Sequence, residues 1–298
     1  MEFGVHLPLI DLGGGTPTLA WLRSYVRAAA ALDYRYLCAN DHLLFARPWL
    51  DGPTALAAVL DAADPMTIAT TVALPVVRGP TQTAKLLSAL DVLSGGRLIA
   101  GVGPGSSARD YAAAGIAFEE RWRRFDESVL ALRALLRPDA EDFNGAFYST
   151  AGVTVEPHGP NGPPLWIASW GSPAGLRRVA RLGDGWLASA YNITPAALQT
   201  GCAALGADMP NALATTWLHV TESRRDADRM RTEVLAPLLG RRPETLRDLP
   251  IGPAEECAQR LSAYAAAGAQ RVFLWPLVDE LQQLQRFQET VVPLLSPN

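Results

Sequence analysis

Asp41-His42 is the pair of neighbours in this sequence best suited to moving a proton. The two residues sit in Ala39-Asn-Asp-His-Leu, directly after the apolar run Tyr36–Ala39. A strand ending there presents an acid and an imidazole at one rim of a sheet, and an imidazole titrates near neutrality. The same spacing suits a helix-capping aspartate beside a surface histidine, and both readings stand. His6, His42 and His219 together raise a metal site. Hydrolase barrels that hold metals carry H-x-H on the first strand, however, and this chain has only His6 there, so no metal is expected. Lys85 is the only lysine and falls on a helix outside the expected sheet, which argues against Schiff-base chemistry.

Two glycine- and serine-rich turns are the other candidates. Gly101-Val-Gly-Pro-Gly follows a short apolar run, but its spacing is not the G-x-G-x-x-G of dinucleotide binding; a tight turn that lets backbone approach a ligand fits better. Trp166-Ile-Ala-Ser-Trp-Gly-Ser-Pro reads as strand, loop and helix start. Free amides, the Ser172 hydroxyl and the positive helix end there make an anion site, and an ordinary capped helix has the same sequence.

These residues need a scaffold that brings strand ends together. Eight short apolar runs precede helical patterns: Phe3–Leu7, Tyr36–Ala39, Thr67–Val72, Leu98–Val102, Leu165–Ala168, Gly185–Ala188, Leu213–Val220 and Arg271–Trp275. Eight is the number of an α/β barrel, the (β/α)8 TIM fold, whose active sites lie at the C-terminal strand ends. That rule selects His6, Asn40, Asp41, His42, Thr71, Gly103, Ser169, Gly171, Ser189 and His219. Prolines announce several helices, at Pro17, Pro53, Pro80, Pro173, Pro195 and Pro253. In the helix from Pro80, the residues Leu86, Leu87, Leu90 and Leu93 form the expected apolar stripe. Pro138–Pro164 is the longest departure from alternation, and its FNGAFY and VTVEP runs predict a short β-excursion inserted after the fourth strand. No linker divides the chain, so residues 1–298 read as a single domain.

Composition narrows the partners. A net charge of −4 without a basic cluster argues against nucleic acid. The arginines at 121, 123 and 124, like Arg224 and Arg225, read as solvated helix faces. No apolar run is long enough to span a bilayer and the N-terminus lacks a signal-peptide pattern, which predicts a cytoplasmic protein with no membrane partner. Three scattered cysteines, Cys38, Cys202 and Cys257, fit neither disulfides nor thiolate metal sites. Phe45, Trp49, Trp170 and Trp275 are candidates for an aromatic pocket wall.

Longer stretches resemble the bacterial luciferase-like monooxygenase superfamily of flavin- and deazaflavin-dependent barrels. They are GVHLP, LDYRYLCANDHL, TVALPVVRGPTQTAKLLSALDVLSGGRLIAGVGPG, RWRRFDESVLALRALL, FNGAFY, PLWIASWGSPAGLRRVARLGDGW and GPAEECAQRLSAYAAAGAQRVFLWP. Within it the chain is most similar to the coenzyme F420-dependent oxidoreductase branch. The resemblance implies a ring over the first four strands near His6, Asp41, Thr71, Val72 and Gly103, with Thr71-Val72 matching a non-prolyl cis step. It implies a phosphate near Ser169, Gly171, Ser172 and Ser189, and His42, oriented by Asp41, as the proton-transfer residue. Ser106 stands where sugar-phosphate dehydrogenase members carry a glutamate, although Asp110 keeps an acid nearby. The implied reaction is hydride transfer to or from a small organic substrate. The alternatives are an FMN-dependent, oxygen-using monooxygenase served by a reductase, and a flavin-binding barrel without turnover. A homodimer is implied as well.

Overall fold

The computed structural model describes residues 1–137 and 139–295. Its first half runs β1 (Glu2–His6), α1 (Leu19–Ala31), β2 (Tyr36–Ala39), α2 (Gly52–Ala58), β3 (Thr67–Thr70), α3 (Pro75–Arg78), α4 (Pro80–Leu93), β4 (Leu98–Val102), α5 (Ala108–Ala113) and α6 (Arg121–Leu136). Its second half runs β5 (Leu165–Ala168), α7 (Pro173–Leu182), β6 (Gly185–Ser189), α8 (Pro195–Leu205), β7 (Asn211–Val220), α9 (Arg224–Arg229), α10 (Ala236–Leu239), β8 (Ile251–Gly252), α11 (Ala254–Ala266), β9 (Arg271–Pro276) and α12 (Glu280–Arg286).

Each strand from β1 to β7 pairs in parallel with the next, and β9 pairs in parallel with both β7 and β1. Eight strands therefore close into a (β/α)8 barrel, and all eight predicted strands are its staves. The two-residue β8 lies outside the ring, pairing His219 and Val220 of β7 with Ile251 and Gly252. It is too short to leave a periodic signal in the sequence.

One apolar cluster fills the ring and a second lies between the ring and its helices. Inside, Tyr36, Trp166 and Phe273 meet small residues from other strands, as barrel interiors require. Gly185 shows why: a Cβ there would lie 2.4 Å from the Trp166 ring.

Four sequence expectations are corrected. The β3 ladder stops at Thr70, not Val72; the Thr71–Val72 peptide is cis, and Ala73 rejoins the sheet by one parallel bridge to Val102. The buried face of α4 is Thr83, Ala84, Leu87, Ser88, Leu90 and Asp91, with Leu93 67% exposed. Polar residues occupy that face because neighbouring chain satisfies them: Ser88 donates to Pro157 O, and Thr83 to Gly79 O at 2.8 Å. Helix α1 begins two residues after Pro17, with Thr18 as its cap. The insertion starts at Pro138, which lies outside the described residues, and the rest forms no strand, only an antiparallel bridge between Asn144 and Ser149. Its amides turn to a side chain instead of a ladder: the Glu127 carboxylate accepts from Ala146 N–H (3.1 Å) and Phe147 N–H (2.7 Å).

The interior packing makes Gly185→Ala an overpacking change. It is expected to lower unfolding free energy by about 1–3 kcal/mol in urea titration, with the fold retained by circular dichroism.

Candidate active site

A cavity of about 730 Å³ opens at the C-terminal ends of the strands. Of the residues expected at the site, Asp41, His42, Thr71, Val72, Gly103, Ser169, Ser172 and Ser189 line it, while His6 and Gly171 do not. Thr71 and Val72 reach the cavity beside the glycine turn after β4. A Cβ at Gly103 would lie 2.7 Å from Val72 Cγ2, so this glycine lets the two loops touch.

His42 takes its orientation from Asp110, not from Asp41. Its Nδ1 lies 2.8 Å from Asp110 Oδ2, and Asp110 Oδ1 accepts the Leu44 N–H at 2.8 Å. The first turn of α5, capped by Ser107, carries this carboxylate into the protein, where it is 1% exposed. With Nδ1 donating to Asp110, Nε2 is the ring nitrogen left for a ligand.

Asp41 points elsewhere. Arg78 at the end of α3 holds it with two bonds, Nε to Oδ2 at 2.7 Å and Nη2 to Oδ1 at 2.6 Å, and the Leu74 N–H adds a third. Arg78 also binds Asp51, the N-cap of α2. Its hydrogen bonds to the Asp41 carboxylate, opposed in part by burial, push the guanidinium pKa up from its ordinary value. Neighbouring residues on a chain point apart as the backbone turns, so adjacency in sequence did not make Asp41 and His42 a pair.

His6 lies one layer below the cavity. It is fully buried, stacked on Trp275 with ring centroids 4.7 Å apart, and burial lowers its pKa to about 3. His219 is partly buried near the end of β7 and does not line the cavity, and burial lowers its pKa as well. Among the described residues no group of three or more His, Cys, Asp or Glu could hold a metal.

The start of α7 also lines the cavity. Ser172 Oγ accepts the Gly175 N–H at 3.2 Å and keeps its own proton to donate. Ser169 Oγ accepts the Gly171 N–H at 3.2 Å, which draws the loop tight beneath the helix. Helix amides, hydroxyls and the positive helix end together suit an anion.

Several lining residues were not anticipated: Phe118, Arg121, Trp122, Arg178 and Tyr191. Arg121 is therefore no solvated face. Its guanidinium lies 4.1 Å over the Phe118 ring and donates to Phe118 O at 3.0 Å, with no carboxylate partner among the described residues. The signal available was the RWRRF run, cations interleaved with aromatics at a helix start that follows a strand-end loop. Of the four aromatics proposed as a wall, only Trp170 lines the cavity. Trp49 packs edge-on against His42 at 4.9 Å, beside Phe45, and Trp275 lies stacked between His6 and Trp217.

Comparison with known proteins gives the family and the fold. A profile of luciferase-like monooxygenases matches residues 1–242. The chain is 29% identical over 193 residues to the F420-dependent hydroxymycolic acid dehydrogenase of Mycobacterium tuberculosis, covering 61% of this chain and 52% of that protein. It is 32% identical over 172 residues to the F420-dependent glucose-6-phosphate dehydrogenase of Mycobacterium avium, covering 54% and 50%. The chain thus spans about half the length of these relatives. In fold it is similar to an F420-dependent secondary alcohol dehydrogenase solved with an F420-acetone adduct (TM-score 0.83, 17% identity, 99% of both chains). It is similar too to the monooxygenase RslO1 of Streptomyces bottropensis (TM-score 0.81, 21% identity, 98% of this chain and 99% of that one). No helix among the described residues is long and apolar enough to cross a membrane.

The two carboxylates separate by experiment. Asp41→Asn breaks the Arg78 latch and is expected to cost about 1.5–3 kcal/mol of stability in urea titration. His6 sets a pH dependence. The unfolded chain protonates it below pH 6.5 and the folded protein only near pH 3, so stability is full above that window and falls as pH drops through it. The His6 contribution to the slope is at most about 1.4 kcal/mol per pH unit. His6→Gln should remove it from unfolding curves measured across the range.

Proposed function

Because this chain belongs to the luciferase-like monooxygenase family, we propose that it is a coenzyme F420-dependent oxidoreductase transferring a hydride to or from a small organic substrate. The observation that carries the reading is His42 held by Asp110 in a cavity that the anion-suited start of α7 also lines. Relatives named for F420 support the choice of cofactor.

The residues present suit a planar ring with an anionic tail. Thr71, Val72 and Gly103 would support the ring, and Ser169, Ser172 and the first amides of α7 would take a phosphate. Arg121, lacking a carboxylate, favours a ligand that carries further negative charge. A bound deazaflavin supplies a two-electron acceptor or donor of hydride.

The chain's own work is the proton. In the oxidising direction, His42 Nε2 takes the proton of a substrate hydroxyl as the carbinol carbon loses hydride; in the reducing direction it returns one to the developing alkoxide. Asp110 keeps Nδ1 protonated, which reserves Nε2 for that exchange, and stabilises the imidazolium that results. Asp41 contributes by fixing the loop that carries His42. Trp122 and Trp170 wall the opening and limit access of water.

A fluorescence titration of the purified protein with F420 and with FMN, oxidised and reduced, tests the cofactor. Micromolar binding of F420 with FMN ignored is the expected outcome. Preference for reduced FMN would favour oxygenation served by a partner reductase, and binding of neither would favour a barrel without turnover. In a screen of alcohols and enones read by F420 absorbance, His42→Ala is expected to lose about 10²–10⁴-fold in kcat with the cofactor Kd unchanged.

A further inference from the structure

A line of polar groups runs from the middle of β7 through His6 to the cavity floor. At the bulge in β7, where pairing with β9 shifts register and Thr215 adopts φ 55°, the Thr215 N–H points inward and lies 3.3 Å from His6 Nε2. His6 Nδ1 lies 3.4 Å from Thr71 Oγ1, and Thr71 Oγ1 lies 3.0 Å from Asn40 Oδ1. Asn40 lines the cavity, and among the described residues its Nδ2 has no acceptor.

With the Asn40 Oδ1 turned to Thr71, as it is here, one arrangement of protons satisfies this line. A backbone N–H can only donate, so His6 Nε2 accepts and the single imidazole proton sits on Nδ1. Nδ1–H then donates to Thr71 Oγ1. The threonine hydroxyl, already an acceptor there, spends its one proton on Asn40 Oδ1. With its oxygen engaged, the Asn40 amide is turned so that its NH2 is free. The reverse order would set the Thr215 N–H against an imidazole N–H, two donors face to face. A doubly protonated ring would make the same conflict, in keeping with the depressed basicity of His6.

We propose that His6 is a positioning residue which, through Thr71, fixes Asn40 as a neutral hydrogen-bond donor to a carbonyl oxygen of the ligand ring bound on the cavity floor. The inference rests on the proposed function only for the ring; the proton order belongs to the protein alone. It gives the floor a preference for ligands that present an acceptor to Asn40, and it does so without adding charge. The two stacked neighbours, Trp275 under His6 and Trp217 under Trp275, keep the imidazole plane from turning out of line.

Two measurements test it. Long-range ¹H–¹⁵N spectra of ¹⁵N-histidine-labelled protein, with His6 assigned by His6→Gln, are expected to give the neutral Nδ1–H tautomer, unchanged from about pH 8 to about pH 5. An Nε2–H tautomer, or an imidazolium in that range, overturns the proposal. In the second, oxidised F420 is titrated into Asn40→Asp, which can still accept from Thr71 but has no N–H to give, and into Asn40→Leu, which adds no charge. Both are expected to weaken binding at least about tenfold, as the loss of one buried donor implies. Binding as tight as that of the unaltered protein in both variants overturns the proposal. Should the unaltered protein bind neither F420 nor FMN, the proposed function fails, and the tautomer decides the proton order by itself.

Discussion

Closing eight parallel strands into a ring creates an interior that side chains must fill, and every polar group buried there must find its partner on another strand. The rest of the structure follows from that constraint. In the lower part the ring is filled by Tyr36, Trp166 and Phe273 against small residues. Toward the mouth the filling becomes polar, and His6 is satisfied only because β7 bulges to turn the Thr215 amide inward while β3 supplies Thr71. Bulges near active sites commonly re-aim a single group in this way. Here the re-aimed group is a backbone amide, whose chemistry is not open to substitution.

Three aspartates near the mouth do three different things because their surroundings differ. Asp51 caps α2, Asp41 is held by Arg78, and Asp110 faces His42. Arg78 links the first two, so the end of β2, the short helix α3 and the start of α2 are tied together. The loop carrying His42 is thereby fixed on one side by an ion pair and on the other by Asp110, which also holds the Leu44 amide. Precise placement of a proton-transfer group depends on such support more than on the group itself.

Helix residues complete the cavity wall above the strand ends. Phe118, Arg121 and Trp122 arrive just before and at the first turn of α6, and Arg178 arrives from α7, where it binds Asp126 and lies 4.6 Å from the Trp122 ring. Cations stacked on aromatic faces are held in place yet keep donors free for a ligand. The same residues read in isolation look like an ordinary charged helix surface, since nothing local records that the helix end folds over a strand mouth.

The sequence by itself determined the barrel. Short β-branched and apolar runs alternating with helices, punctuated by glycines and by prolines at helix starts, are local signals, and they sufficed for all eight staves and for the rim on which Asn40, His42, Thr71, Gly103 and Ser169 sit. Tertiary structure decided the partnerships. Asp110 lies 68 positions from His42, Arg78 lies 37 from Asp41, and the amide that orders His6 lies 209 away. A hydrogen bond depends on direction over about 3 Å, and the direction of a side chain is set by the backbone turn beneath it and the strands beside it. That is why Asp41 and His42, adjacent in the chain, face different partners, while residues far apart along it form the site.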